Sequence, residues 1–327
     1  MAYTSQLTMY SASDVGSPIM SGSNGSLNNL LHKCLVIGYG SKSPAGWNLT
    51  YSSSSAGNMV LATFQQRTGS MNYLYVNDNG PGAGAAREAR MTGYPWVCSE
   101  CGTGSNPFPT GSSMAVARKS ADTTTVRNWR FFADSSSFYS FIQTDTAGTW
   151  QGFSFGDLYM PPALPISTSQ ALIVGKVVEN TTTAAGDRLD TLQPIITTAV
   201  TGHFMSGNAG SMGTVVAAAD SITVGKMGGY PFGGGASAVN LLGAVVYPNS
   251  CNNAVILSPV WVYDNVGTYI RGTMRGFWQF CHAIANVTDA QNITGSGDLV
   301  GRKFHILKQS GNSGVYCIET SNTVETS

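Results

Sequence analysis

Apolar positions near the start of the chain fall at helical spacing. Leu27, Leu30, Leu31, Cys34 and Leu35 line one face, Ser26 stands where an N-cap belongs, and Gly38 and Gly40 close the segment. Beyond Trp47 the period changes to that of strands. Asn58–Gln65, Asn72–Val76, Ala85–Gly93 and Ser113–Lys119 are expected strands, and Asn77–Gly84 (NDNGPGAG) is a turn-rich loop. Ala85–Gly93 has helical propensity, but it returns directly from that loop and is assigned as the second half of a hairpin. Asn128–Asp134 and Phe138–Gln143, joined through three serines, form another predicted hairpin, and Trp150–Tyr159 a further strand. Pro161, Pro162 and Pro165 interrupt both ladders and helices. The pattern resumes with Ala171–Val178, fades through a Gly- and Ala-rich middle (Gly202–Gly243), and returns at Ala254–Tyr263, Thr268–Trp278, Lys303–Lys308 and Gly314–Glu319.

The predicted fold class is therefore mostly β: two β-sandwich-like modules with short helices. The proline cluster places the boundary, giving residues 1–162 as an N-terminal β-rich module with the early helix and 163–327 as a C-terminal β-rich module. No clean internal repeat is present.

Composition changes the functional picture more than the structural one. Lys plus Arg and Asp plus Glu each number 17, so the 327 residues carry no net charge, and charged residues make up only 10% of the chain. That is well under the usual quarter. With 13 Phe, 14 Tyr and 6 Trp the chain has ample material for a core and does not have a disordered composition. Nucleic-acid capture needs clustered cations to replace counterions, and no nucleic-acid partner is expected. No apolar run approaches the roughly 20 residues that span a bilayer, so no membrane insertion is expected. The first residues lack a basic region followed by an apolar one, which points to synthesis in the cytoplasm.

Candidate chemistry is sparse. Cys98-Ser-Glu-Cys101 lacks a second pair of soft ligands and sits among glycines and a proline, so it is read as two loop cysteines. His32, His203, His282 and His305 stand singly, with no GxSxG or HExxH, and are read as structural. Asp78 and Asp157 are the acids to consider for glycan cleavage, and turn chemistry is the preferred role for both. The stretches NGPGAG and GGGASA lack the Lys-Ser/Thr ending of a phosphate loop. Arg87, Arg90, Arg118, Lys119, Arg127 and Arg130 form a loose basic set that Glu88, Asp122 and Asp134 balance. No catalytic residue, metal ligand or cofactor is assigned, and the chain is expected not to be an enzyme. Tyr94, Trp96, Phe108, Tyr230 and Phe232, aromatics in Gly-rich loops, are the candidate interface residues.

Several strings, taken in order, resemble a family of tailed-bacteriophage virion structural proteins. They are SGSNGSLNNLLHKCLVIGYGSKSPAGW, VNDNGPGAGAAREARMTGY, WRFFADSSSFYSFI followed by QGFSFGDL, IRGTMRGFW, and GSGDLVGRKFHILKQSGNSGVYCIETSNT. The resemblance covers most of the chain outside the Gly/Ala-rich middle. It implies a virion component without catalytic residues and does not fix the place in the particle, for which the tail or baseplate is the preferred expectation. Other virion proteins and copies of itself would be the partners, joined through symmetric interfaces. A capsid decoration or head-fibre protein, and a receptor-binding tail protein that contacts glycans, are the alternatives.

Overall fold

The computed structural model describes residues 3–5, 7–79, 87–98, 102–108, 115–144, 150–159, 171–177, 201–205, 222–224, 247–248, 253–264, 269–280, 282, 287–308, 315–320 and 323–325. In chain order the elements are β1 (Tyr3–Ser5), β2 (Thr8–Ser11), α1 (Ser26–His32), β3 (Asn48–Ser55), β4 (Asn58–Gln65), β5 (Tyr73–Asn77), β6 (Glu88–Tyr94), β7 (Trp96–Val97), β8 (Gly104–Ser105), β9 (Ala115–Arg118), β10 (Trp129–Ala133), β11 (Ser137–Gln143) and β12 (Trp150–Tyr159). They continue with β13 (Ala171–Val177), β14 (Thr201–Met205), β15 (Ile222–Val224), β16 (Leu257–Asp264), β17 (Tyr269–Phe280), β18 (Asn292–Thr294), β19 (Lys303–Lys308), β20 (Val315–Glu319) and β21 (Thr323–Glu325). The fold is mostly β with one short helix, as the apolar pattern predicts.

The first sheet is curled. Its antiparallel ladders run β3-β4-β5-β6-β9 on one side and β2-β10-β11-β12 on the other, with β13 paired to both β9 and β12. The helix lies inside the curl. Leu27, Leu30, Leu31, Cys34 and Leu35 are buried among Phe64, Leu74, Met91, Phe131, Phe138 and Phe155. One turn of π-helix (Lys33–Ile37) follows α1, and the segment ends at Gly38, whose φ of 79° is the left-handed conformation that glycine adopts freely.

The second sheet runs β15-β16-β17-β20-β19-β18. The last residues of β12 join it, with Leu158 opposite Met274 and Tyr159 opposite Thr273. The expected module boundary at Pro161, Pro162 and Pro165 lies outside the described residues.

Strands β10, β11 and β12 form a layer buried on both faces. Alternation sends Trp129, Phe131, Phe138, Ile142, Phe153 and Phe155 into the core around the helix. The intervening Phe132, Tyr139, Phe141 and Trp150 pack with Met274, Phe277, Leu307, Tyr316 and Ile318 of the second sheet. A third cluster, including Phe280, Ile293, Phe304 and Cys317, covers the far face of that sheet. With both faces covered, β11 and β12 are buried at every position but their last.

Candidate functional site

Three polar constellations stand out, each built where loops meet the sheets. The first fixes the helix. Asp78 follows β5, and its Oδ2 accepts the backbone N–H groups of Leu27 (2.8 Å) and Asn28 (3.2 Å). These are orphan donors of the first helical turn. Lys119 Nζ donates to Asp78 Oδ1 and to the Ser23 carbonyl (2.7 Å). Both charged side chains are fully buried. Burial pushes the Asp78 carboxyl up to about 6, against the pull of Lys119 and the two amides. The expected cap, Ser26, does not perform that role: Gly25 holds the N-cap position, and Ser26 Oγ donates to the Ser21 carbonyl instead.

The second constellation clamps the turn between β4 and β5. Asp157 stands in β12, not in a turn as expected. Its Oδ1 accepts from Gln66 Nε2 (3.1 Å) and Ser70 Oγ, and its Oδ2 from the Ser70 N–H (2.7 Å). A Cβ on Gly69 would stand 1.8 Å from Asp157 Oδ2, so only glycine lets the loop lie on the carboxylate. Burial raises the Asp157 pKa, with Ser70, Gln66 and Arg275 opposing. A raised carboxyl is what a general acid needs. Here, however, both oxygens face protein donors. The adjoining pocket, lined by Ser137, Tyr139, Ser154, Gly156, Asp157 and Met274, has room for about one water.

The third constellation joins the two sheets. Arg130 of β10 grips Asp289 with both guanidinium ends (2.8 and 2.6 Å) and lies 4.4 Å above the Trp150 ring. Arg275 of β17 reaches back to Ser136 Oγ and to Asp134, 3.3 Å away. In the second sheet Arg302 makes a buried pair with Glu319. The loose basic set is largely paired inside the chain: Lys119 with Asp78, Arg127 with Asp122, Arg130 with Asp289, and Arg87 with the Ala121 carbonyl.

His305 lies beside this junction, 3% exposed, with its ring 5.5 Å from that of Phe132. Its Nδ1 meets Asn292 Oδ1 at 2.9 Å, and its Nε2 is buried without a hydrogen-bond partner among the described residues. Burial, helped by Arg130 and opposed by Asp289, lowers its pKa to about 4. The unfolded chain, with an ordinary value near 6.5, therefore binds the extra proton first, and stability is lost as pH falls below that value. Acidification from pH 6.5 to 5 is expected to remove about 2 kcal/mol through this residue. Urea titrations at the two pH values, compared with the same pair for His305→Asn, measure it. An equal pH slope in the variant would assign the loss elsewhere. Of the other histidines, His282 Nε2 accepts the Ile256 N–H (2.6 Å) and His32 is partly buried. The side chain of His203 lies outside those described.

The candidate interface residues separate. Trp96 is 60% exposed on the β7–β8 ribbon. Tyr94 and Phe108 are buried within their own chain, which corrects their expected exposure. The cause is Gly93. Its backbone pairs with that of Phe108, and the Phe108 ring occupies the space a Cβ would fill, then stacks on Phe155. Tyr230 and Phe232 lie outside the described residues. Cys98 is partly buried at the end of β7, and Cys101 lies outside the described residues. Among the described residues no group of three His, Cys, Asp or Glu is placed to hold a metal ion, and no helix is long and apolar enough to cross a membrane.

Comparison with known proteins found no matching family model and no matching curated relative.

Proposed function

We propose that this chain is a non-enzymatic structural component of a tailed-phage virion, in the tail or baseplate, that assembles with copies of itself and with other virion proteins. The ordered resemblance of six strings to phage virion proteins carries the reading. The polar constellations support it. Asp78 is sealed under the helix, Asp157 has both oxygens held by a loop, and the Arg130 and Arg275 pairs fasten sheet to sheet. These groups rigidify the fold, as suits a building block.

Mass spectrometry of purified particles from a phage encoding the chain, followed by particle reconstruction, tests the proposal. The expected result is the chain in rings of three-, six- or twelve-fold symmetry at the tail. Capsid-lattice positions would favour the decoration reading, and absence from the particle would overturn the proposal.

A further inference from the structure

The Asp78–Lys119 contact differs in kind from the other ion pairs of the chain. Arg127–Asp122, Arg130–Asp289, Arg275–Asp134 and Arg302–Glu319 all use a guanidinium, which keeps its proton and is no nucleophile. Lys42 stands 3.7 Å from Asp14, and both side chains are partly exposed. Lys119 is the one buried lysine among the described residues. It sets a primary amine in direct contact with a carboxyl, and solvent reaches neither side chain. A desolvated lysine next to a carbonyl carbon is a nucleophile in waiting.

The surroundings hold both groups in place. Asp78 follows β5 and Lys119 follows β9, and these strands flank β6 on either side. The Asp78 N–H donates to the Val60 carbonyl (2.7 Å) and the Lys119 N–H to the Arg87 carbonyl (2.7 Å), so both backbones are anchored. Nζ donates to Asp78 Oδ1 and to the Ser23 carbonyl (2.7 Å), which orients the amine. The other oxygen, Oδ2, already faces two fixed donors, the N–H groups of Leu27 and Asn28 (2.8 and 3.2 Å). Nucleophile, carbonyl carbon and oxyanion donors are therefore assembled before any reaction. Burial pushes the Asp78 carboxyl up to about 6 and draws the Lys119 ammonium down, which brings the neutral acid–amine form closer to the ionic one.

We propose that the folded chain joins Lys119 to Asp78 through an isopeptide bond, with release of one water. Lys119 Nζ first passes a proton to Asp78 Oδ1, leaving a neutral amine against a carboxylic acid. The nitrogen lone pair then attacks Cγ, the atom bonded to Oδ1, and the carbonyl electrons move onto Oδ2. The Leu27 and Asn28 N–H groups hold that oxyanion. The nitrogen gives a second proton to the Oδ1 hydroxyl. Water leaves with the electrons of the Cγ–Oδ1 bond, and the pair on Oδ2 restores the carbonyl. No oxidant, reductant or cofactor enters. A site closed to bulk solvent favours this condensation over hydrolysis. The pair reacts once, so this is self-modification and not turnover. The ion pair is the state of the freshly folded chain. In the amide, Oδ2 keeps its two donors, and a covalent link now closes a loop of 41 positions. Such a link restricts the unfolded chain, as a disulfide does.

Intact-mass spectrometry of the purified full-length chain, sampled from purification through several days at neutral pH, tests the proposal. The expected result is conversion to a species lighter by one water. Proteolysis should then yield the peptides of Asp78 and Lys119 as one cross-linked product. A parallel sample held in urea should keep its full mass, because the unfolded chain does not fix the pair. Lys119→Arg keeps the charge but has no primary amine, and it should keep its full mass too. If that variant does not fold, the wild-type peptide map decides alone. A wild type that stays at full mass, water loss that maps to other residues, or equal loss in urea or in a folded Lys119→Arg would each overturn the proposal. The link does not depend on where the chain sits in a particle, so this result and the particle reconstruction fail independently.

Discussion

Lys119→Met is expected to destabilise the chain by about 3–5 kcal/mol, because it leaves a buried carboxylate without its cation. Asp78 and Lys119 have no side-chain exposure, so bulk solvent does not screen the charge that is left. The carboxylate then has two outcomes, and both cost stability. If it stays ionised, it is an unpaired charge in the core. If it takes a proton, it becomes a weaker acceptor for Leu27 and Asn28 and loosens the start of α1. Burial already pushes this carboxyl up to about 6, so the second route is accessible near neutral pH. Urea unfolding followed by circular dichroism measures the loss. The double variant Asp78→Asn, Lys119→Met should cost clearly less than the sum of the single variants, since each single change orphans the other partner. Additive losses would mean that the two side chains do not act as a unit.

The same pair shows why some of the structure was legible in the sequence and some was not. The helix follows from the leucine spacing, which needs only local information. Its cap does not, because Asp78 arrives from 51 residues beyond Leu27. Strands β4, β12 and β19 coincide with their predicted bounds, and the β10–β11 hairpin is recovered to within a residue or two. In each, a run of aromatic and β-branched residues stands between turn residues. Strand β3 (NLTYSSSS) carries no such alternation and stays outside the core except near Leu49, so its pairing with β4 decides its structure. Turn chemistry is the expectation for Asp157, yet it lies inside β12 beside Gly156, whose φ is 152° and which packs on Ser137. Phe108 looked exposed because Gly and Pro surround it. Its slot at Gly93 comes from fifteen positions earlier in the chain. Misplaced site residues thus share one cause: their partners are brought by tertiary folding, which local pattern does not encode. The face of β3–β6 opposite the core is a milder case. The NYLYV alternation was visible, but that Tyr51, Tyr75 and Tyr94 share a face depends on the register of four strands.

Phe277→Ala is expected to cost about 3–5 kcal/mol and to shift a single unfolding transition of the whole chain. Phe277 is 1% exposed in β17 of the second sheet, but its aromatic contacts lie largely across the junction. Its ring meets Tyr139 edge-on at 5.2 Å and Phe141 in a stacked arrangement at 6.5 Å, both in β11 of the first sheet, with Tyr316 at 5.2 Å on its own side. Removing it opens a cavity that both sheets line. The rigid frame around it limits collapse, since Arg130–Asp289 and Arg275–Asp134 hold the same junction and β12 pairs into both sheets. Sheets coupled this way unfold together. Far-ultraviolet circular dichroism and tryptophan fluorescence, recorded along one urea titration, should therefore give coincident curves for the wild type and for the variant, with the variant midpoint lower. Two separated transitions, of which only one moves, would show that the halves on either side of the proline cluster fold as independent modules, and that the aromatic junction joins them without making them cooperative.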